Sequence, residues 1–299
     1  MIVDQGNYVA VIYADMVGSV HIFLVAAGGR HMHPILFEIP KFEILNWVIG
    51  PLPIRMYGLM IGAGFLLGLY LASRRAKKEG ISPDHILDMG VYLLFAAIVG
   101  SRALYVLTNL HEFAAHPLDA FAIWKGGLVF YGGLLAAVPV GIWYVRKHDL
   151  PVWKTADIVA PSIALGHAFG RLGCFFAGCC FGAQCNGPLC ITFTDPHSLA
   201  PLGVPLFPTQ LVESGGEFVI FGILLIIWRH RKFNGQIFWL YPVFYSILRF
   251  IVEMFRGDAA RGLYFGGAVS TSQIISVILF AASLFMLRTL GGKKYRHEH

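Results

Sequence analysis

Seven apolar runs separated by short polar clusters organise this chain; they lie near 51–73, 86–108, 127–145, 157–181, 214–228, 236–255 and 269–287. About 20 apolar residues cross a bilayer as a helix. In hydrocarbon the backbone must satisfy its own hydrogen bonds, which a helix does within one segment. The pattern therefore predicts an all-α polytopic membrane protein, a seven-span helical bundle. Residues 46–290 form its membrane domain, 1–45 an N-terminal extension and outer segment, and 291–299 a basic tail.

The polar clusters alternate in charge. Arg74, Arg75, Lys77 and Lys78 follow the first run, and Arg146, Lys147 and Lys154 lie between the third and fourth. Arg229, Arg231 and Lys232 separate the fifth and sixth; Arg288, Lys293, Lys294 and Arg296 follow the last. The opposite loops hold Lys125 and Arg261, and no Lys or Arg occurs from 183 to 213. Basic loops stay in the cytoplasm, so the C-terminus is expected there. The formal charge of +6 is thus a topology signal and gives no expectation of nucleic acid. Only 13% of residues are charged, against about 25% in soluble domains.

Val9 to Ala27 is apolar but holds Asp15 and His21, and no basic region precedes it. It reads either as an extra span or as absent from the native protein, with Met32 as the true start. The second reading is favoured.

A few ionisable groups remain inside the runs: Arg102, Arg171, Arg249, Glu253 and Arg256, with His167 and Glu213 close by. A charge at that depth is by default a functional-site hypothesis. His167, Arg171, Cys174 and Gly178 share one helical face, as do Arg249, Glu253 and Arg256. Positive charge is in surplus, and Arg171 and Arg249 each lack an obvious acidic partner. The surplus predicts an anionic ligand, and lipid phosphate suits the planar donor fork of arginine. The structural alternative is buried ion pairing, or snorkelling to the interface, which fits Arg256 best.

Three other segments have the character of site backbone: Arg55 to Met60, Gly126 to Gly133, and Pro208 to Glu213. Taken singly, Tyr57 and Tyr131 read as interfacial aromatics. The double glycines flanking Tyr131 need a packing or ligand reason.

All five cysteines fall between 174 and 190. Cys179, Cys180, Cys185 and Cys190 are expected at the outer surface, where one or two disulfides are permitted. No Cys-x-x-Cys pair occurs, so no metal is expected. Thiol exchange with a partner is a further option.

Together these segments resemble the prolipoprotein diacylglyceryl transferase family from about Ile49 to Arg256. The resemblance rests on Tyr57-Gly58-Leu59-Met60, on Arg102 with Tyr105, and on Asp157, Ala160 and Pro161. It continues through Gly170-Arg171-Leu172-Gly173 with Gly178 and Gly182, through Pro208, Gln210, Leu211 and Glu213, and through Arg249 to Arg256. It departs at Tyr131, where the family has His, at Cys174 for Asn and at Cys179 for Glu; Phe207 and Val212 replace a His and a Tyr.

The resemblance implies a bacterial inner-membrane enzyme with a small periplasmic head and a lateral opening to lipid. It would move a diacylglyceryl group from phosphatidylglycerol to the lipobox cysteine of a preprolipoprotein signal peptide, releasing glycerol 1-phosphate. Arg171, Arg249, Tyr57, Tyr131 and His167 are the catalytic candidates, with His167 as thiol base. Arg171, Arg249, Arg102, Glu253, Arg256, Gly132, Gly133, Gln210 and Glu213 are candidates for the lipid site. Neither cofactor nor metal is expected; the partners are membrane lipids and the signal peptide. The alternatives are a paralogue acting on another lipid or acceptor, a membrane thiol oxidoreductase using the outer cysteines, and a lipid carrier.

Overall fold

The computed structural model describes residues 8–14, 20–26, 33–39, 42–44, 47–49, 52–115, 117–123, 126–257, 262–264 and 269–297. Asp15, Met32, Lys125 and Arg261 lie outside these described residues. Each apolar run corresponds to a long helix: α1 Met56–Lys78, α2 Pro83–Thr108, α4 Phe130–Lys147, α5 Val152–Ala177, α6 Thr209–Trp228, α7 Gln236–Glu253 and α8 Thr271–His297. A short helix, α3 Leu110–Ala115, follows α2. Five of them, α1, α2, α5, α6 and α8, are long and apolar enough to cross a membrane. The other two, α4 and α7, have 18 residues each and carry Arg146 with Lys147, and Arg249 with Glu253.

The chain is mostly helical, as expected, and short antiparallel pairs accompany the helices. Among the described residues there are five such pairs. β1 Tyr8–Ala14 pairs with β2 Val20–Ala26, with Tyr8 opposite Ala26, so the described residues of the candidate extra span are extended chain. Its residues are rich in Val, Ile and aromatics, which suit a pleated strand.

Three helix ends obey one rule. Gly80, Asp149 and Gly178 adopt positive φ at +74°, +50° and +75° just past α1, α4 and α5. At each the next amide reaches back five residues: Ile81 N to Ala76 O at 2.9 Å, Leu150 N to Val145 O at 2.9 Å, and Cys179 N to Cys174 O at 3.1 Å. This is the Schellman closure, which satisfies carbonyls a helix end leaves bare.

The chain divides into two compact units: residues 1–63, 167–216 and 247–277, and residues 64–166, 217–246 and 278–299. The second unit centres on Ala72, Ala76, Ile86, Met89, Tyr144 and Ile158. Here α2 and α4 approach through glycine: a Cβ on Gly132 would lie 2.3 Å from Gly100 O, and one on Gly133 2.5 Å from Ser101 Oγ. Small residues of this kind let membrane helices touch backbone to backbone. The buried Asp157 carboxylate caps the start of α7, accepting from Gly235 N at 2.7 Å and Phe238 N at 2.8 Å. The same unit gathers basic clusters: Glu79 pairs with Arg231 and lies 3.5 Å from Lys154. Gly235, just past the Arg229–Lys232 cluster, packs against Leu290 of α8.

In the first unit the segment between α5 and α6 folds around Phe193, Ala200 and Leu206, with Phe175, Phe181 and Val204 packed on them. β7 Ile191–Thr192 pairs with β8 Pro205–Leu206. A Cys185–Cys190 disulfide closes one turn of this segment.

Candidate functional site

The first unit places four charged side chains in one buried cluster. Pro208 precedes α6, so the helix begins at Thr209 and Glu213 sits on its second turn. Ser214 Oγ donates to Ala168 O at 2.9 Å, which ties α6 to α5. On the other side Gly216 faces Leu248, with room for no Cβ (2.5 Å), which brings α7 close. Glu213 therefore stands between two arginines from different helices. Its Oε1 lies 2.9 Å from Arg171 Nη2, and its Oε2 accepts from Arg249 Nη1 at 3.2 Å. Arg249 Nη2 donates to Glu253 Oε2 at 2.6 Å and to Ser272 Oγ at 3.0 Å.

This corrects the expectation that Arg171 and Arg249 lack acidic partners. They share Glu213, and Glu253 adds a second carboxylate for Arg249. Two guanidiniums face two carboxylates, so the cluster is matched in charge. A buried pair is kept this way because an uncompensated charge in a low-dielectric interior costs several kcal/mol. Arg171 is the most open member, 14% exposed against 9% for Arg249 and 2% for Glu213.

The cysteines stand at the end of the Arg171 helix. The Schellman closure at Gly178 folds Cys179 back over Cys174, and a Cβ at Gly178 would lie 2.1 Å from Ser198 Oγ. Cys180 has φ +59°, a left-handed conformation uncommon outside glycine. Two residues at the start of α6 hold this turn: Thr209 Oγ1 donates to Cys180 O and Gln210 Nε2 to Cys179 O, both at 2.7 Å. The bridge expected among the outer cysteines is Cys185–Cys190 only; Cys179 and Cys180 are free and cluster with Cys174. The spacing rule could not show this, because a chain reversal rather than a helical turn makes the contact. The Cys180 thiol is held below its ordinary range by hydrogen bonds with Cys174 and Cys179, helped by the charges of Arg171 and Arg256.

Other expected residues fall around these two clusters. Tyr57, 42% exposed on the first turn of α1, lies against Gly173, where a Cβ would sit 3.1 Å from its ring. His167 is half-buried, one turn before Arg171. Arg256 follows α7 and bridges to Gly182 through the backbone. Gln210 is a buried positioning residue of the cysteine turn.

The remaining candidates belong to the second unit. Arg102 is buried, and its guanidinium donates to four carbonyls: Ala120 at 2.9 Å, Gly126 at 2.6 Å, Gly127 at 3.1 Å and Asp119 at 2.6 Å. That geometry organises a loop. Gly132 and Gly133 serve the contact between α2 and α4 described above. Tyr131 is 53% exposed at the start of α4. Two contributors had no distinctive sequence signal: Ser272, which reaches Arg249 from α8, and Thr209, which holds Cys180.

The chain matches the prolipoprotein diacylglyceryl transferase family over residues 44–289. It is 40% identical over 234 residues to the phosphatidylglycerol–prolipoprotein diacylglyceryl transferase of Finegoldia magna, covering 78% of this chain and 90% of that one. The enzyme of the same name from Clostridium tetani is 33% identical over 255 residues, 85% of this chain and 96% of that one. That of Geobacter sulfurreducens is 34% identical over 262 residues, 86% and 98%. With its ordered motifs and the Arg171–Glu213–Arg249 cluster at their centre, this chain belongs to the prolipoprotein diacylglyceryl transferase family.

Proposed function

We propose that this protein transfers the diacylglyceryl group of phosphatidylglycerol to the lipobox cysteine of a prolipoprotein signal peptide. The observation that carries the proposal is the buried Glu213 carboxylate holding Arg171 and Arg249 side by side. Glu213, Glu253 and Ser272 fix the two guanidiniums, and the forked donors of Arg171, the most open member, offer a preorganised receptor for a lipid phosphate.

The reaction follows from charge. The peptide thiolate attacks the glyceryl carbon that bears the phosphate ester. A C–S bond forms, the C–O bond breaks, and its electron pair leaves on glycerol 1-phosphate. The leaving phosphate gains negative charge, which Arg171 and Arg249 stabilise as it develops. Their orientation is set before the reaction by Glu213, Glu253 and Ser272. The thiol proton passes to His167, one turn from Arg171. Tyr57, at the exposed start of α1, lines the approach, and Arg256 supports the phosphate end.

Family membership and the apolar helices support a multi-pass inner-membrane location, with α4 and α7 completing seven spans. The alternation of basic and uncharged loops, with Lys154 and Arg231 meeting at Glu79, supports a cytoplasmic C-terminus. The disulfide-closed segment before α6 supports a small periplasmic head.

The test is a transfer assay in lipid with phosphatidylglycerol, a lipobox peptide and the full-length protein. The peptide gains the mass of one diacylglyceryl group and glycerol 1-phosphate is released in equal amount. Phosphatidylglycerol that binds without either product would refute the proposal.

A further inference from the structure

The three free cysteines are not used by the transfer chemistry, and their arrangement has a consequence of its own. The sulfurs of Cys174, Cys179 and Cys180 all lie within 4.8 Å of one another. A metal bound at about 2.3 Å by three thiolates requires sulfurs about 4 Å apart. The triangle is therefore within about 1 Å of the size that closes on a metal. We infer that Cys174, Cys179 and Cys180 form a three-thiolate site for one thiophilic closed-shell cation of the Zn(II) or Cu(I) type.

Three further features fit that assignment. First, the triangle is built by backbone. Cys174 begins the last turn of α5, the Gly178 closure returns Cys179 over it, and the left-handed backbone of Cys180 turns the third sulfur to the same place. Second, the turn is held from outside: Thr209 and Gln210 bind the carbonyls of Cys180 and Cys179. Supports of this sort fix ligand orientation in metal sites. Third, the charge is suitable. Three thiolates around a dication leave one net negative charge, and around a monocation two. Arg171 and Arg256 both act electrostatically on Cys180, so cations stand ready to offset an anionic metal–thiolate complex. Soft sulfur ligands select such metals over Mg(II) or Ca(II). The absence of a Cys-x-x-Cys spacing did not exclude the site, because the closure at Gly178 places residues five apart face to face.

The inference does not depend on the transferase reading, and its test does not use turnover. Full-length protein in detergent micelles, reduced and freed of reductant, is titrated with Cd(II) alone. Thiolate-to-metal charge-transfer absorption in the ultraviolet is followed. One Cd(II) is taken up per chain, and Zn(II) displaces it. The band is kept in a C185S/C190S variant, which removes the only other sulfur pair. It is lost in C174S/C179S/C180S and in the single variants C174S and C180S, which guard against a misfolded triple variant. The inference is overturned by a band that survives in the triple variant, or by one that vanishes in C185S/C190S. It is equally overturned if wild-type protein shows three titratable thiols at these positions and no band. A disulfide within the triangle that persists after reduction, seen by mass spectrometry, would also overturn it.

Discussion

Glu213 lies 2.9 Å from Arg171 through one carboxylate oxygen and leaves the other oxygen to Arg249. The two arginines come from helices with no local relation in the sequence, so a single carboxylate on α6 sets their spacing. That spacing is the core of the proposed lipid-phosphate receptor.

Glu213→Gln preserves shape and removes the charge that both arginines face. Removing one partner of a buried ion pair costs about 3–5 kcal/mol, much of it from the charge left behind. We expect thermal stability in micelles to fall by an amount of that order. In a double-mutant cycle with Arg249→Gln the double variant loses less than the sum of the single losses, since the second change restores the balance of one arginine and one carboxylate in the cluster. Strict additivity would show that the two side chains do not interact.

Gly132→Ala places a Cβ against Gly100 O and Leu104. Overpacking of this kind costs about 1–3 kcal/mol. The variant is expected to melt earlier, while turnover per folded molecule stays near wild type. A specific loss of turnover at unchanged stability would return Gly132 to the lipid site.

Arg102→Lys keeps the charge but replaces a planar fork that serves four carbonyls. Faster cleavage of the segment 117–127 by added protease is expected, measured against cleavage elsewhere in the chain. Equal rates in both proteins would mean that the clamp is dispensable.

His167→Gln removes the proposed thiol base. Transfer then depends on spontaneous ionisation of the peptide thiol, whose ordinary pKa is about 8.5. Turnover of the variant should be low at neutral pH and climb steeply toward alkaline pH. A pH profile that overlays wild type would remove His167 from the mechanism.

Much of this fold was legible in the pattern of apolar runs, because a membrane helix declares itself by length and composition. The extended pair Tyr8–Ala14 and Val20–Ala26 was not, since strand and helix share the same apolar residues over so short a run. Arg171 and Arg249 were visible as charges out of place. Their partner was not, because Glu213 lies before the apolar run and helical spacing relates only residues of one helix. The glycines at 132 and 133 signalled a close approach, but only the structure shows that the approaching group is α2. The cysteine triangle was hidden for a related reason: Gly178 was noted as a motif residue, while its positive φ creates the contact.

The most direct test of the central claim is the dependence of transfer on phosphatidylglycerol concentration, measured in Arg171→Lys at saturating lipobox peptide. Lysine retains the charge and loses the forked donor geometry. The account predicts a higher KM for phosphatidylglycerol and a kcat lowered by about 10²-fold, near the value of one lost charge-stabilising donor, with the KM for peptide unchanged. An unaltered lipid dependence together with a raised KM for peptide would place Arg171 at the acceptor and contradict the account.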